Sequence, residues 1–120
     1  MKKLYSISLL FLLFALVGCS SNSTLYSNEI SYLPILSEST LVSHSPNENG
    51  LNEIIYKFDN LSLEDGLKQY KTVFEEDGWT FDSENSNEDD NVFKYTKDDH
   101  FAIVLFRSID SENQYVVMTK

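Results

Sequence analysis

The chain has 120 residues, with nine Lys plus Arg against nineteen Asp plus Glu and a net charge of −10. That balance argues against nucleic-acid binding and against flat adsorption on anionic lipid, because both need basic patches. A single cysteine excludes an internal disulfide, so the fold must be held by packing.

The first elements form a leader. Lys2 and Lys3 make a short basic start, and Leu4 to Val17 is an apolar run of fourteen residues broken only by Tyr5, Ser6 and Ser8. A stable transmembrane helix needs about 20 apolar residues, so this run has signal-peptide length instead. It ends in Leu16-Val17-Gly18-Cys19. This ending resembles the bacterial lipobox, in which a leucine three positions before the cut precedes small residues and then cysteine. The resemblance implies cleavage between Gly18 and Cys19 and a diacylglyceryl thioether on Cys19. Residues 1–18 are then a lipoprotein signal peptide, and the mature chain runs over 19–120. Losing Lys2 and Lys3 leaves seven bases against nineteen acids, a net charge of −12. The expected address is the cell envelope, with the membrane held as partner through the lipid on Cys19. Ser20 is not the aspartate associated with inner-membrane retention. The outer membrane is therefore expected if the host has two membranes, and the outer face of the cell membrane otherwise.

Residues 19–31 read as a lipidated tether, since Ser20-Ser21-Asn22-Ser23-Thr24 has no apolar period. Residues 32–120 read as a single α+β domain. Thr40-Leu41-Val42 is a strand candidate, followed by a turn containing Asn49-Gly50. Leu51 to Phe58 is a strand, with Ile54, Tyr56 and Phe58 on one face and Glu53, Ile55 and Lys57 on the other. The helix spans about 62–77. Ser62 is its natural N-cap, with Glu64 and Asp65 in the first turn, and Gly78 is its stop. Leu63, Leu67, Tyr70 and Phe74 form its apolar stripe, widened by Val73.

Strands follow. Trp79 and Phe81 share a face, as do Phe93 and Tyr95 in the run Val92 to Thr96. Phe101 to Phe106 is apolar throughout, which predicts a central strand covered on both sides. Lys97-Asp98-Asp99-His100 and Asp110-Ser111-Glu112-Asn113 read as turns, and Tyr115 to Thr119 as the last strand. The expected architecture is one amphipathic helix packed on a mostly antiparallel sheet of 4–6 strands. Ser62, Tyr70, Gly78 and Trp79 also resemble a pattern that recurs in small bacterial lipoproteins of unknown function. There a helix with a central tyrosine ends in Gly-Trp and leads into a meander. That resemblance covers about sixty residues and implies no activity.

Chemistry is sparse. Asp82, Glu84, Glu88, Asp89 and Asp90 make an acidic loop that suggests calcium. An EF-hand counted from Asp82 would need Gly at its sixth position and Glu at its twelfth, where Asn87 and Phe93 stand. His44 and His100 are far apart and match no zinc spacing. No nucleophile elbow supports a Ser-His-Asp set, and there is no glycine-rich phosphate loop. The expectation is therefore no catalytic residue, no metal and no cofactor. The reading is of a non-enzymatic protein-interaction module with an envelope protein as partner. The alternative is an envelope lipoprotein that binds a small molecule or a cation.

Overall fold

The computed structural model describes residues 24–120. The expected signal peptide, Gly18, Cys19 and the first part of the expected tether lie outside them. The fold is α+β, one helix on a six-stranded antiparallel sheet, with a small two-stranded sheet beside it. The small sheet is β1 (Leu25–Tyr26) paired with β2 (Pro34–Ile35). A hairpin follows, β3 (Thr40–Pro46) and β4 (Asn52–Phe58), then helix α1 (Leu63–Glu76). The chain returns as a meander of β5 (Thr80–Phe81), β6 (Val92–Lys97), β7 (His100–Ile109) and β8 (Glu112–Thr119). The sheet order is β3-β4-β8-β7-β6-β5, so the last strand closes the meander onto the hairpin.

Local chemistry sets the boundaries. The Asn47 side chain accepts from the Asn49 and Leu51 amides, which bends the hairpin turn, and Gly50 completes it at φ +80°. Ser62 Oγ accepts the Asp65 amide at 3.1 Å and caps α1. At the other end the Trp79 amide donates to Phe74 O and the Gly78 amide to Glu75 O. Gly78 sits at φ +88°, where a Cβ would be strained. This pair of bonds is a Schellman motif, and its accompanying apolar contact is Trp79 on Phe74, with ring centroids 5.2 Å apart. Between β7 and β8 the turn is only Asp110-Ser111, both at positive φ, so Glu112 and Asn113 belong to the strand and not to the turn.

The core lies between α1 and one face of the sheet. Tyr70 and Phe74 reach down from the helix, and Tyr56, Tyr95, Phe106 and Tyr115 meet them from the strands. Phe74 stacks flat on Tyr95 at 4.6 Å, and Tyr70 meets Tyr115 at 4.6 Å. The helix stripe is centred differently from the spacing argument. Its buried line is Gly66, Tyr70 and Phe74, while Leu63 and Leu67 flank it half-exposed. Gly66 is there because the Phe58 ring fills the space a Cβ would take.

Two expectations are corrected. The tether was placed at 19–31, but the folded part begins by Leu25. Ser27 Oγ is 2.7 Å from the buried Tyr56 hydroxyl, Ile30 is in the core, and Leu33 and Leu36 seal it. The polar composition of this stretch hides a row of apolar residues at 30, 33 and 36 that covers the end of the aromatic cluster. The second correction concerns β7. Ala102, Val104 and Phe106 are buried under the helix, but Phe101, Ile103 and Leu105 on the opposite face are covered by no other element among the described residues. The residues of 27–36 that contact the sheet do so on the helix side, through Tyr56, Tyr115 and Thr119.

Candidate functional site

The second face of the sheet is the feature the sequence did not prepare for. Antiparallel sheets with one solvated face ordinarily alternate apolar inward and polar outward. Here the outward positions of the central strands are apolar. The pairing register lays them in rows. One row runs Glu53, Met118, Ile103, Lys94 across β4, β8, β7 and β6. The next runs Ile55, Val116, Leu105, Val92. Met118 is 36% exposed, Ile55, Val92, Ile103 and Leu105 are half-buried, and Val116 between them is buried, at 9% exposure. Charges rim the patch. Lys57 pairs with Glu112 at 3.9 Å, Arg107 donates to Gln114 at 3.1 Å, and Lys94 pairs with Asp82 at 3.8 Å. The Lys94 ammonium also lies over the Phe101 ring at 5.6 Å, which holds it at the patch edge.

On the helix side there is an open cleft of about 590 Å³ between α1 and the turn before β6. Leu63, Leu67, Lys71, Glu88 and Phe93 line it. Lys71 occupies it from within. Its ammonium bridges to Glu88 at 3.6 Å and lies over Phe93 at 4.8 Å, so its charge is already satisfied by an anion and a ring.

The acidic loop is two 3-10 turns, Ser83–Asn85 and Glu88–Asp90. Asp82, Glu88 and Asp90 have local partners. Asp82 accepts from the Asn85 amide and side chain, and those bonds lower its pKa below the usual carboxylate value. Asp90 accepts from Asn87 at 2.6 Å, and Glu88 holds Lys71. Among the described residues no three carboxylate, imidazole or thiol groups converge as metal ligands. The two histidines stay apart. His44 bonds Asn52 at 2.9 Å across the hairpin, and His100 stacks on Tyr32 at 3.7 Å.

One polar cluster escaped the sequence reading. Asp77, the residue after α1, has a side chain only 7% exposed. It accepts from Tyr26, from Trp79 Nε1 at 3.1 Å and from Lys97 at 3.4 Å. The Lys97 ammonium also bonds the Asp77 carbonyl. Asp77 thus ties β1 and β6 to the helix end, and its bond to Tyr26 raises that phenol's pKa. The pattern is structural, since every donor is consumed within the fold.

The buried phenols define the interior electrostatics. Tyr70 donates to Pro34 O at 2.6 Å, and Tyr115 donates to Ser39 while accepting the Leu36 amide. The Tyr95 hydroxyl is buried with no partner among the described residues. Burial pushes the Tyr95 phenol up to about 12 and also raises Tyr70 and Tyr115 well above their ordinary value. Comparison with protein-family models, with curated proteins and with solved structures finds no match.

Proposed function

We propose that this chain is a membrane-anchored extracytoplasmic lipoprotein whose folded domain is a non-enzymatic protein-interaction module of the cell envelope. The anchor rests on the lipobox Leu16-Val17-Gly18-Cys19 and the single cysteine. The interaction role rests on one observation: the sheet's second face carries contiguous apolar rows with a charged rim. Apolar patches rimmed by polar groups mark association surfaces. A helix, an aromatic core and the 27–36 segment all load onto the other face, so this face is left for a partner. Lipidation supplies the rest. Each buried CH₂ of an acyl chain contributes about 0.8 kcal/mol, and several chains on one residue hold the protein firmly at the membrane. The short segment between Cys19 and Leu25 keeps the domain close to it. Radiolabelled palmitate should enter the wild-type protein. Cys19→Ser should abolish labelling and let uncleaved precursor accumulate. Absence of label from the wild type sinks the anchor.

A further inference from the structure

We propose that the partner of the bare sheet face is a second copy of this chain, so that two sheets pack face to face as a sandwich. This deepens the interaction-module reading and rests on it for the face, but it is independent of the lipid. The argument is one of symmetry in the pairing register. The six strands β3-β4-β8-β7-β6-β5 have their midline between β8 and β7. A two-fold axis along that midline lays β8 of one copy over β7 of the other, β4 over β6, and β3 over β5. Such an interface is self-complementary only if residues mirrored across the midline match. They do. Met118 falls over Ile103 of the second copy, Val116 over Leu105, and Ile55 over Val92. At the rim Glu53 falls over Lys94, an anion over a cation, and Gln114 falls over Arg107. Each match occurs twice by symmetry.

The dimensions fit. Five strands at about 4.8 Å with seven residues at about 3.4 Å, and a two-residue β5, span roughly 600 Å² per copy. That approaches the ~800 Å² per partner of standard interfaces. Facing sheets pack about 10 Å apart and rotated by about 30°, which keeps mirrored rows in reach of one another near the midline. The choice of occupant follows from charge. A mature chain of net charge −12 is repelled by anionic lipid and by most acidic partners. A second copy carries the same net charge, so the choice rests on this face, where the mirrored register sets Glu53 of each copy over Lys94 of the other.

The test is sedimentation equilibrium of residues 20–120, which contain every element and every core side chain described here. The wild type should dimerise. Leu105→Lys, at the centre of the patch, should weaken the dimer at least about a hundredfold, because a buried unpaired charge is intolerable there. Its melting temperature, measured at concentrations where both proteins are monomeric, should stay close to the wild type's. A charge exchange provides a second reading that does not depend on the folding of Leu105→Lys. E53K alone and K94E alone should each dimerise weakly. A one-to-one mixture restores both opposed pairs and should associate about tenfold more tightly than either variant alone. A wild type that is monomeric at about 1 mM overturns the second-copy proposal. If Leu105→Lys then still removes an envelope protein cross-linked by the wild type, the interaction-module reading survives with another partner. A dimer indifferent to Leu105→Lys, or a mixture no tighter than its components, overturns the proposed arrangement.

Discussion

Gly66→Ala is the sharpest probe of how the helix sits on the sheet. In an exposed helix interior this change stabilises by about 1 kcal/mol, because alanine loses less backbone entropy on folding. At position 66 a Cβ would lie 2.5 Å from Phe58 Cε2 and 2.6 Å from Cζ. The ring cannot simply swing away. Phe58 is buried against Phe106 and Tyr115, at centroid distances of 6.0 and 6.1 Å. Overpacking of this kind costs about 1–3 kcal/mol, so the expected net effect in the wild-type background runs from neutral to a loss of about 2 kcal/mol. In a Phe58→Leu background the clash is relieved, and Gly66→Ala should become neutral or stabilising. The coupling between the two sites should be about 1–3 kcal/mol by double-mutant cycle in urea. Stabilisation by Gly66→Ala alone, with no coupling to residue 58, would refute the close approach of α1 to β4.

The buried phenols give two more tests. Tyr95→Phe removes a hydroxyl without a partner and should raise stability by about 1 kcal/mol, whereas Tyr70→Phe strands the Pro34 carbonyl and should cost about 1–3 kcal/mol. Urea titrations of the pair check the contrast, and equal effects would contradict it. The pH dependence has a definite sign. Burial raises these phenols above their unfolded value, so the neutral form is favoured in the fold and its contribution is complete below about pH 10. Stability should fall as pH rises from 10 towards about 12, where Tyr95 itself ionises, at about 1.4 kcal/mol per pH unit for each phenol still held neutral. A flat alkaline melting profile would contradict the burial.

Much of this fold is legible because its signals are local. The Ser62 cap, the Gly78 stop and the alternation of Ile54, Tyr56 and Phe58 each follow from one or two residues, and the structure bears them out. Features that depend on distant neighbours were not legible. The 25–31 stretch looks like tether because it follows a polar run and carries Ser27, Asn28, Glu29 and Ser31. The role of 25–36 as a cover depends on Tyr56, Tyr70 and Tyr115 being there to receive it. Gly66 looks like a weak point in a helix until Phe58 arrives beneath it. The run Phe101 to Phe106 predicts cover on both faces, and an apolar run cannot distinguish burial within a chain from burial against a partner. Asp77 carries no motif, since its donors come from β1, β6 and Trp79, far apart in the chain or in different elements. Of the candidate site residues, Gly18 and Cys19 lie outside the described residues, and the acidic loop proves to be two 3-10 turns, the first capped by Asp82. The sheet face could have been suspected from Ile103, Leu105, Val116 and Met118, which take the outward positions where polar residues are expected.

The central claim is that the face opposite α1 is the docking surface of a membrane-anchored module. A photoreactive phenylalanine analogue placed at Leu105 in the full chain, in its own membrane, tests it most directly, with the same analogue at Lys68 on the exposed side of α1 as reference. Position 105 should give a single adduct of twice the chain mass, and position 68 should give none. No adduct from 105, or equal yields from both positions, would contradict the claim.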